Sequence, residues 1–271
     1  MTGAFSGEVA AGSPPKMRPD QYSPNVALPG FYRLISHARL ASTSDEAKAL
    51  ASNGAAAGTL IWALEQSQGH GRQGRAWASP PGNLYASLIL RPKVPAAVAA
   101  QLSFAAALAV GEACRDVAPQ AAIAFKWPND VLMGGRKLAG ILLESEAKPG
   151  GGIAWLVIGI GINLVTYPVN AGYPATALSA SGADVSAEAM LAALAARFLA
   201  WYERWDEGRG FAAVRAAWLA RAQGVGEAIR VRLPQEEFSG RFAGLDEDGA
   251  LLVETKSGRR RVDAGEVFPA V

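Results

Sequence analysis

The sequence predicts an α+β protein, with helices packed on an antiparallel or mixed β-sheet and a small β-barrel at the C-terminal end. Strand-like segments follow one another through tight turns, which argues against an all-parallel sheet. Two long apolar stretches rich in alanine and leucine carry helical spacing. From Gly226 the texture changes to short segments separated by turn residues.

Taken in order, residues 1–30 are rich in Pro, Gly, Ser and Ala, lack the apolar core of a signal peptide, and read as a flexible tail. Phe31 to Ser36 suits a strand, and Thr43-x-x-Glu46 reads as a capping box opening a helix through about Ser52. Thr59 to Glu65 and Leu84 to Leu90 are strands on either side of a long loop. Pro95 suits the first turn of a helix reaching about Val117. Ala121 to Phe125 is a strand leading into a bend, and Gly134-Gly135 turns a hairpin whose return arm is Lys137 to Glu146. Ile153 to Leu164 is apolar almost throughout, broken only by Gly159 and Gly161, and belongs at the centre of a sheet. Ser186 caps a helix carrying Met190, Leu194, Phe198 and Trp205, and Phe211 to Ala222 reads as a second helix. Ile229 to Leu233, Phe238 to Leu245, Ala250 to Glu254 and Arg259 to Val262 complete a barrel of about 45 residues, so small that it must lean on the rest. The expected organisation is a tail over 1–30, a large domain over 31–223 and a barrel over 224–271.

The chain has 271 residues, half of them hydrophobic, which is ample for a core. A formal net charge of +2 announces neither a nucleic-acid surface nor a polybasic membrane patch. The Arg259-Arg260-Arg261 run reads as a solvated strand edge. No apolar run is expected to reach the roughly 20 residues of a membrane span. Cys114 is the only cysteine, which excludes an internal disulfide and points to a reducing compartment, the cytoplasm.

Three clusters carry chemistry. In Gly69-His70-Gly71-Arg72-Gln73-Gly74-Arg75-Ala76-Trp77 glycines alternate with fixed cations, a combination that suits a phosphate. The spacing also satisfies a dinucleotide-binding fingerprint, but no helix follows it, so that reading is rejected. Lys126-Trp127-Pro128-Asn129-Asp130 bends the chain at a strand end, and a hairpin brings Asp130 near Lys137. Lys137 there neutralises an anion, or is a solvated turn residue. In Gly159-Ile160-Gly161-Ile162-Asn163 two glycines weaken a strand unless something approaches its backbone closely, either a ligand or another packed element. Trp62, Trp77 and Trp127 are candidates for a pocket wall or for plain core. His70 as a metal ligand is disfavoured, since His37 is the only other histidine.

In this order and with these separations, the three clusters together with Arg136-Lys137-Leu138-Ala139-Gly140 resemble the biotin protein ligases, from about residue 31 to the end. The resemblance implies a class II synthetase-like catalytic domain with a mixed sheet, an SH3-like domain behind it, and no N-terminal DNA-binding unit. It implies that Ser42, Thr43, Ser44, Gln66, His70, Gly71, Arg72 and Lys137 surround biotin. The expected set around ATP and its adenylate is Arg72, Arg75, Trp77, Lys126, Asn129, Lys137 and Asn163. The implied catalytic residues are Lys137, Arg72 and Asp130, with Asp130 as the candidate base. Ser44 stands where many members have asparagine, and His70 where many have arginine. The implied activity uses ATP and Mg2+ to make biotinyl-5'-AMP and to transfer biotin to a lysine of a biotin carboxyl carrier domain. Nucleic acid and membrane are not expected partners, and homodimer formation is left open. Two other readings stand beside it: a lipoate or octanoate ligase or transferase, and a biotin-responsive DNA-binding repressor.

Overall fold

The computed structural model describes residues 22–169 and 172–270. Seven strands form the larger sheet: β1 (Arg33–Leu40), β2 (Thr59–Gln66), β3 (Leu84–Leu90), β4 (Ile123–Lys126), β5 (Asp130–Met133), β6 (Arg136–Ala147) and β7 (Ile153–Ile162). They run in the order β1-β2-β3-β7-β6-β5-β4, with β7 at the centre as its apolar run predicts. β1 and β2 are parallel and the other pairs antiparallel, so the sheet is mixed. The parallel pair requires a crossover, and α1 (Thr43–Ser52) supplies it.

Alternation along the strands assigns the two faces. Ile61, Ile89 and Val157 point to α1 and pack with Ala47 and Ala51. Their neighbours Leu60, Trp62, Leu88, Leu90, Leu156 and Ile158 belong to the main core on the other face. That face is covered by α2 (Ala96–Ala99), α3 (Leu102–Val117), α4 (Ala187–Trp205) and α5 (Phe211–Leu219). The stretch Ala96–Val117 is, against expectation, long and apolar enough by length and composition to cross a bilayer, yet 72% of its most apolar window is buried inside the protein. Its longer part, α3, is a core helix, which is why its alanines and leucines run around the whole circumference.

Residues 22–30, expected in the tail, pack on this body. Tyr22 meets Trp62 edge-on at 5.7 Å and donates to Glu188 Oε1 at 2.9 Å, while Val26 and Leu28 lie against the core. Residues 1–21 lie outside the described residues.

The C-terminal strands β8 (Ala228–Arg232), β9 (Glu237–Leu245), β10 (Leu251–Thr255), β11 (Gly258–Val262) and β12 (Glu266–Pro269) form an antiparallel sheet of the SH3-like kind, in the order β11-β10-β9-β8-β12. The sequence did not reveal β12, a short strand ending in proline. Val231, Phe242 and Leu251 share one continuous core with the larger sheet. Gly249, in the β9–β10 turn, presses so closely on α3 that a Cβ there would come within 2.7 Å of the Phe104 ring. The arginine run lies on edge strand β11, where Arg259 pairs with Glu254, Arg260 with Glu236, and Arg261 with Asp246, Asp248 and Asp263. Its charge is answered locally.

Asn83, 1% exposed, organises the exit from β7. Its Oδ1 accepts the backbone N–H groups of Leu164, Val165 and Thr166 at 2.9, 3.0 and 3.2 Å, and its Nδ2 donates to the Thr166 carbonyl at 2.9 Å. Asn83→Ala leaves buried donors unpaired and is expected to destabilise the protein by about 1–3 kcal/mol, read as a lowered midpoint in urea unfolding.

Candidate active site

One cleft of about 1140 Å³ runs along the ends of β2, β3, β6 and β7 and reaches the C-terminal sheet. It is larger than the roughly 300–1,000 Å³ usual for a single small ligand. Every residue in the sequence-predicted site set lines it: Ser42, Thr43, Ser44, Gln66, His70, Gly71, Arg72, Arg75, Trp77, Lys126, Asn129, Asp130, Lys137 and Asn163.

The floor is neutral and polar. Ser42 caps α1 by accepting from the Asp45 N–H at 3.3 Å, one residue before the expected cap. The reason lies in Thr43, whose N–H and hydroxyl both donate to Gln66 Oε1, at 2.7 and 3.0 Å. Gln66 Nε2 donates in turn to Ser79 Oγ at 2.9 Å. Ser87 Oγ donates to Thr43 Oγ1 at 2.9 Å and lies 3.1 Å from Ser44 Oγ. Sequence reasoning missed Ser79 and Ser87. The signal for Ser87 was available, a single serine inside the apolar run Leu84 to Leu90.

The two glycines of the third cluster are explained by packing. A Cβ on Gly159 would stand 2.6 Å from Ser44 Oγ, and one on Gly161 would stand 2.6 Å from the Trp77 indole. Trp77 thus lies on the sheet and forms a wall of the cleft; Trp127, 3% exposed, belongs to the core and also lines the cleft, whereas Trp62, 0% exposed, is a core residue alone. Asn163 is buried and donates through Nδ2 to the Thr176 carbonyl at 3.0 Å, so that amide nitrogen fastens the segment after β7.

The mouth is cationic. Residues 69–77 form a pinched hairpin, with Trp77 N–H donating to the Gly69 carbonyl at 2.8 Å, Gly71 N–H to the Arg75 carbonyl at 2.8 Å, and a tight turn at Arg72–Gly74. Arg72 Nη1 donates to Asn129 Oδ1 at 3.2 Å, and Asn129 Nδ2 donates to the Ile141 carbonyl at 2.7 Å. Next to Asn129, Asp130 holds Lys137 Nζ at 2.7 Å. Lys137 also sits 5.4 Å from the centre of the Trp77 ring and 5.0 Å from that of Tyr173. Tyr173 was not anticipated; its segment is tied to β6 by Lys137 N–H to the Pro174 carbonyl at 2.9 Å. Burial pushes the Arg72 guanidinium below its ordinary pKa, with Asp130 and Glu266 opposing. Lys126 is lowered in the same way by burial and further by Lys137, while Asp130 and Glu266 again oppose. Two part-buried cations with incomplete compensation favour an incoming anion.

Two of the loop residues that line the cleft are also engaged by carboxylates. His70 lies 3.9 Å from Asp45 Oδ2 and 3.9 Å from Glu144 Oε2, beside Lys48, which bridges the same two carboxylates. Arg75 donates to Gln73 Oε1 at 2.7 Å and to Glu266.

The Biotin/lipoate A/B protein ligase family matches residues 37–163, and the Biotin protein ligase C terminal domain matches 224–268. The Biotin--[acetyl-CoA-carboxylase] ligase of Paracoccus denitrificans is 44% identical over 85% of this chain and 98% of its own. The chain belongs to the biotin protein ligases. Another relative, the bifunctional ligase/repressor BirA of Bacillus subtilis, is 35% identical over 86% of this chain and 73% of its own. Among solved biotin protein ligases, that of Aquifex aeolicus in complex with biotin and ATP has a TM-score of 0.75 and 27% identity, covering 87% of this chain and 97% of that one.

Gly161→Ala should push Trp77 off the sheet and away from Lys137. The expected outcome is a loss of about 1–3 kcal/mol in urea unfolding, the usual cost of overpacking, together with a change in tryptophan fluorescence.

Proposed function

We propose that the protein is an ATP-dependent ligase that activates biotin as biotinyl-5'-AMP and transfers it to a specific lysine of a biotin carboxyl carrier domain. The observation that carries this reading is that Arg72 and Lys137, from separate segments, line one cleft above a floor of neutral hydrogen-bonding groups. Thr43, Ser44 and Gln66 suit an uncharged ureido ring, which needs both donors and acceptors. Biotin's carboxylate then projects toward Lys137.

In the first half-reaction a carboxylate oxygen attacks the α-phosphorus of ATP, the bond to the β-phosphate oxygen breaks, and pyrophosphate leaves. The barrier is repulsion between two anions. Lys137 and Arg72 offset it by facing the charge that develops between carboxylate and α-phosphate, and Trp77 holds Lys137 from one side. Lys126 and Asn129 line the same side of the cleft and are assigned to the nucleotide. Arg75 and Asn163 were expected to join them; Arg75 is engaged by Glu266 and Asn163 by the Thr176 carbonyl, so both serve the nucleotide through the segments they fix. In the second half-reaction the acceptor's ε-amine attacks the carbonyl carbon, the carbon–oxygen bond to phosphate breaks, and AMP leaves with the electron pair. Asp130 is the carboxylate beside Lys137 and is assigned to take the amine's proton. Among the described residues no group of three or more His, Cys, Asp or Glu side chains gathers for a metal; a magnesium ion arriving with the phosphates would find in Asp130 a carboxylate able to hold it, and would supply further positive charge against them.

A transferase using a cysteine nucleophile fits poorly. Cys114 is fully buried in α3 and burial pushes its thiol up to about 12. The protein should resist iodoacetamide at pH 8 until unfolded, and Cys114→Ala should keep its ligation activity; loss of activity would favour the transferase. The lone buried cysteine also accords with the proposed cytoplasmic setting.

The deciding assay is incubation with biotin, magnesium ATP and a biotin carboxyl carrier domain, followed by mass analysis of the acceptor, with lipoate as the competing acid. Lys137→Ala is expected to lower adenylate formation by at least about 100-fold with the unfolding midpoint retained. Arg72→Gly is expected to make the adenylate and release it into solution. Wild-type turnover by Lys137→Ala would remove the assignment.

A further inference from the structure

The loop over residues 69–77 is held on two flanks. On one, Arg72 bonds to Asn129 beside the larger sheet. On the other, Arg75 pairs with Glu266, the first residue of β12 in the C-terminal sheet. The two partners differ in freedom: the Glu266 side chain is 19% exposed and the Arg75 side chain 60%. Glu266 is therefore the fixed half of the pair. Strand β12 is itself anchored, since Phe268 sits under Lys126 at 5.3 Å and Arg232 at 4.9 Å. The loop cannot lift from the cleft without breaking the Arg75 contact, whereas Arg72 alone would leave its far flank free to swing.

We propose that the Arg75–Glu266 pair is an interdomain latch that keeps this loop folded over the acyl-adenylate between the two half-reactions. Glu266 is then a positioning residue: it acts through Arg75, and the C-terminal sheet takes part in the chemistry by controlling escape of the intermediate. The inference rests on the ligase reading above. Because the pair is partly exposed, its strength is limited and falls with ionic strength.

The test uses the full chain as wild type, Glu266→Gln, Arg75→Gln and the double variant. Two quantities are read: the rate at which biotinyl-5'-AMP appears in free solution without acceptor, and hydrogen–deuterium exchange of the 69–77 amides in the ligand-free protein. Each single variant should release adenylate about two- to fivefold faster, the range an ion pair of this exposure can carry. The double variant should be no faster than either single one, because the second change removes a partner already lost. Loop exchange should rise in all three while thermal midpoints stay together. Release and exchange unchanged in Glu266→Gln, or effects that simply multiply in the double variant, would overturn the latch. The exchange arm decides this even if no adenylate forms, and a wild type that forms none counts against the ligase reading instead.

Discussion

The proposed reaction presses two anions together in this cleft, and the residues that fix its cations do so through a single bend. Asn129 holds Arg72 and the adjacent Asp130 holds Lys137, so two charges from distant segments are referenced to one pair of neighbouring residues. The bend is rigid because Asn129 also bonds to the Ile141 carbonyl and because Lys126 and Asp130 close the β4–β5 pairing on either side of it. Fixed cations matter more than numerous ones, since a charge that must reorganise as the reaction proceeds gives back much of what it contributes. Burial sharpens the effect. Arg72 and Lys126 carry a desolvation penalty from burial, and an anion that approaches them relieves it.

The floor solves a different problem, that of orientation. Thr43, Gln66, Ser79, Ser87 and Ser44 bond mainly to each other, which satisfies buried hydroxyls and amides and sets their directions before any ligand arrives. A neutral floor below a cationic mouth leaves an amphiphilic acid only one low-energy way to enter. Ser44 fits this scheme through Ser87, its hydroxyl partner on β3, which together with Gly159 leaves room for a short side chain and little more. His70 takes the opposite direction from Arg72, toward the carboxylates of Asp45 and Glu144. A histidine there serves the junction of α1 with β6, while Arg72 and Arg75 reach Asn129 and Glu266.

Much of this was legible because the relevant signals are local. The boundaries of β3, the hairpin at Gly134-Gly135, the cap at Ser186 and the central place of β7 follow from turn chemistry and apolar runs. What escaped depends on contacts distant in sequence. Gly161 reads as a weak point in a strand until Trp77, more than eighty positions earlier, is seen lying on it. Ser42 displaces Thr43 as the helix cap only because Gln66 claims the threonine. Tyr173 and strand β12 carry no pattern of their own; the first is placed by the backbone pairing of Ala175, two residues on, with Lys137, the second by pairing with β8. The span Ala96–Val117 is long and apolar enough by composition to cross a bilayer, and its burial, which decides its meaning, is a tertiary fact.

The C-terminal sheet is too small to maintain an independent core, and the consequence is mechanical as well as thermodynamic. Its apolar side merges with that of α3 and α5, Gly249 is wedged against Phe104 and Phe211, and Trp127 donates to the Gly249 carbonyl at 3.2 Å. Trp127 belongs to the same bend that fixes Arg72 and Lys137. A displacement of the sheet would therefore be felt at the cations, and β12 can serve as a wall of the cleft at constant distance from them. A small domain joined by a flexible linker could contribute a charge to the site only intermittently; one sharing its core with the site contributes a charge at a defined place.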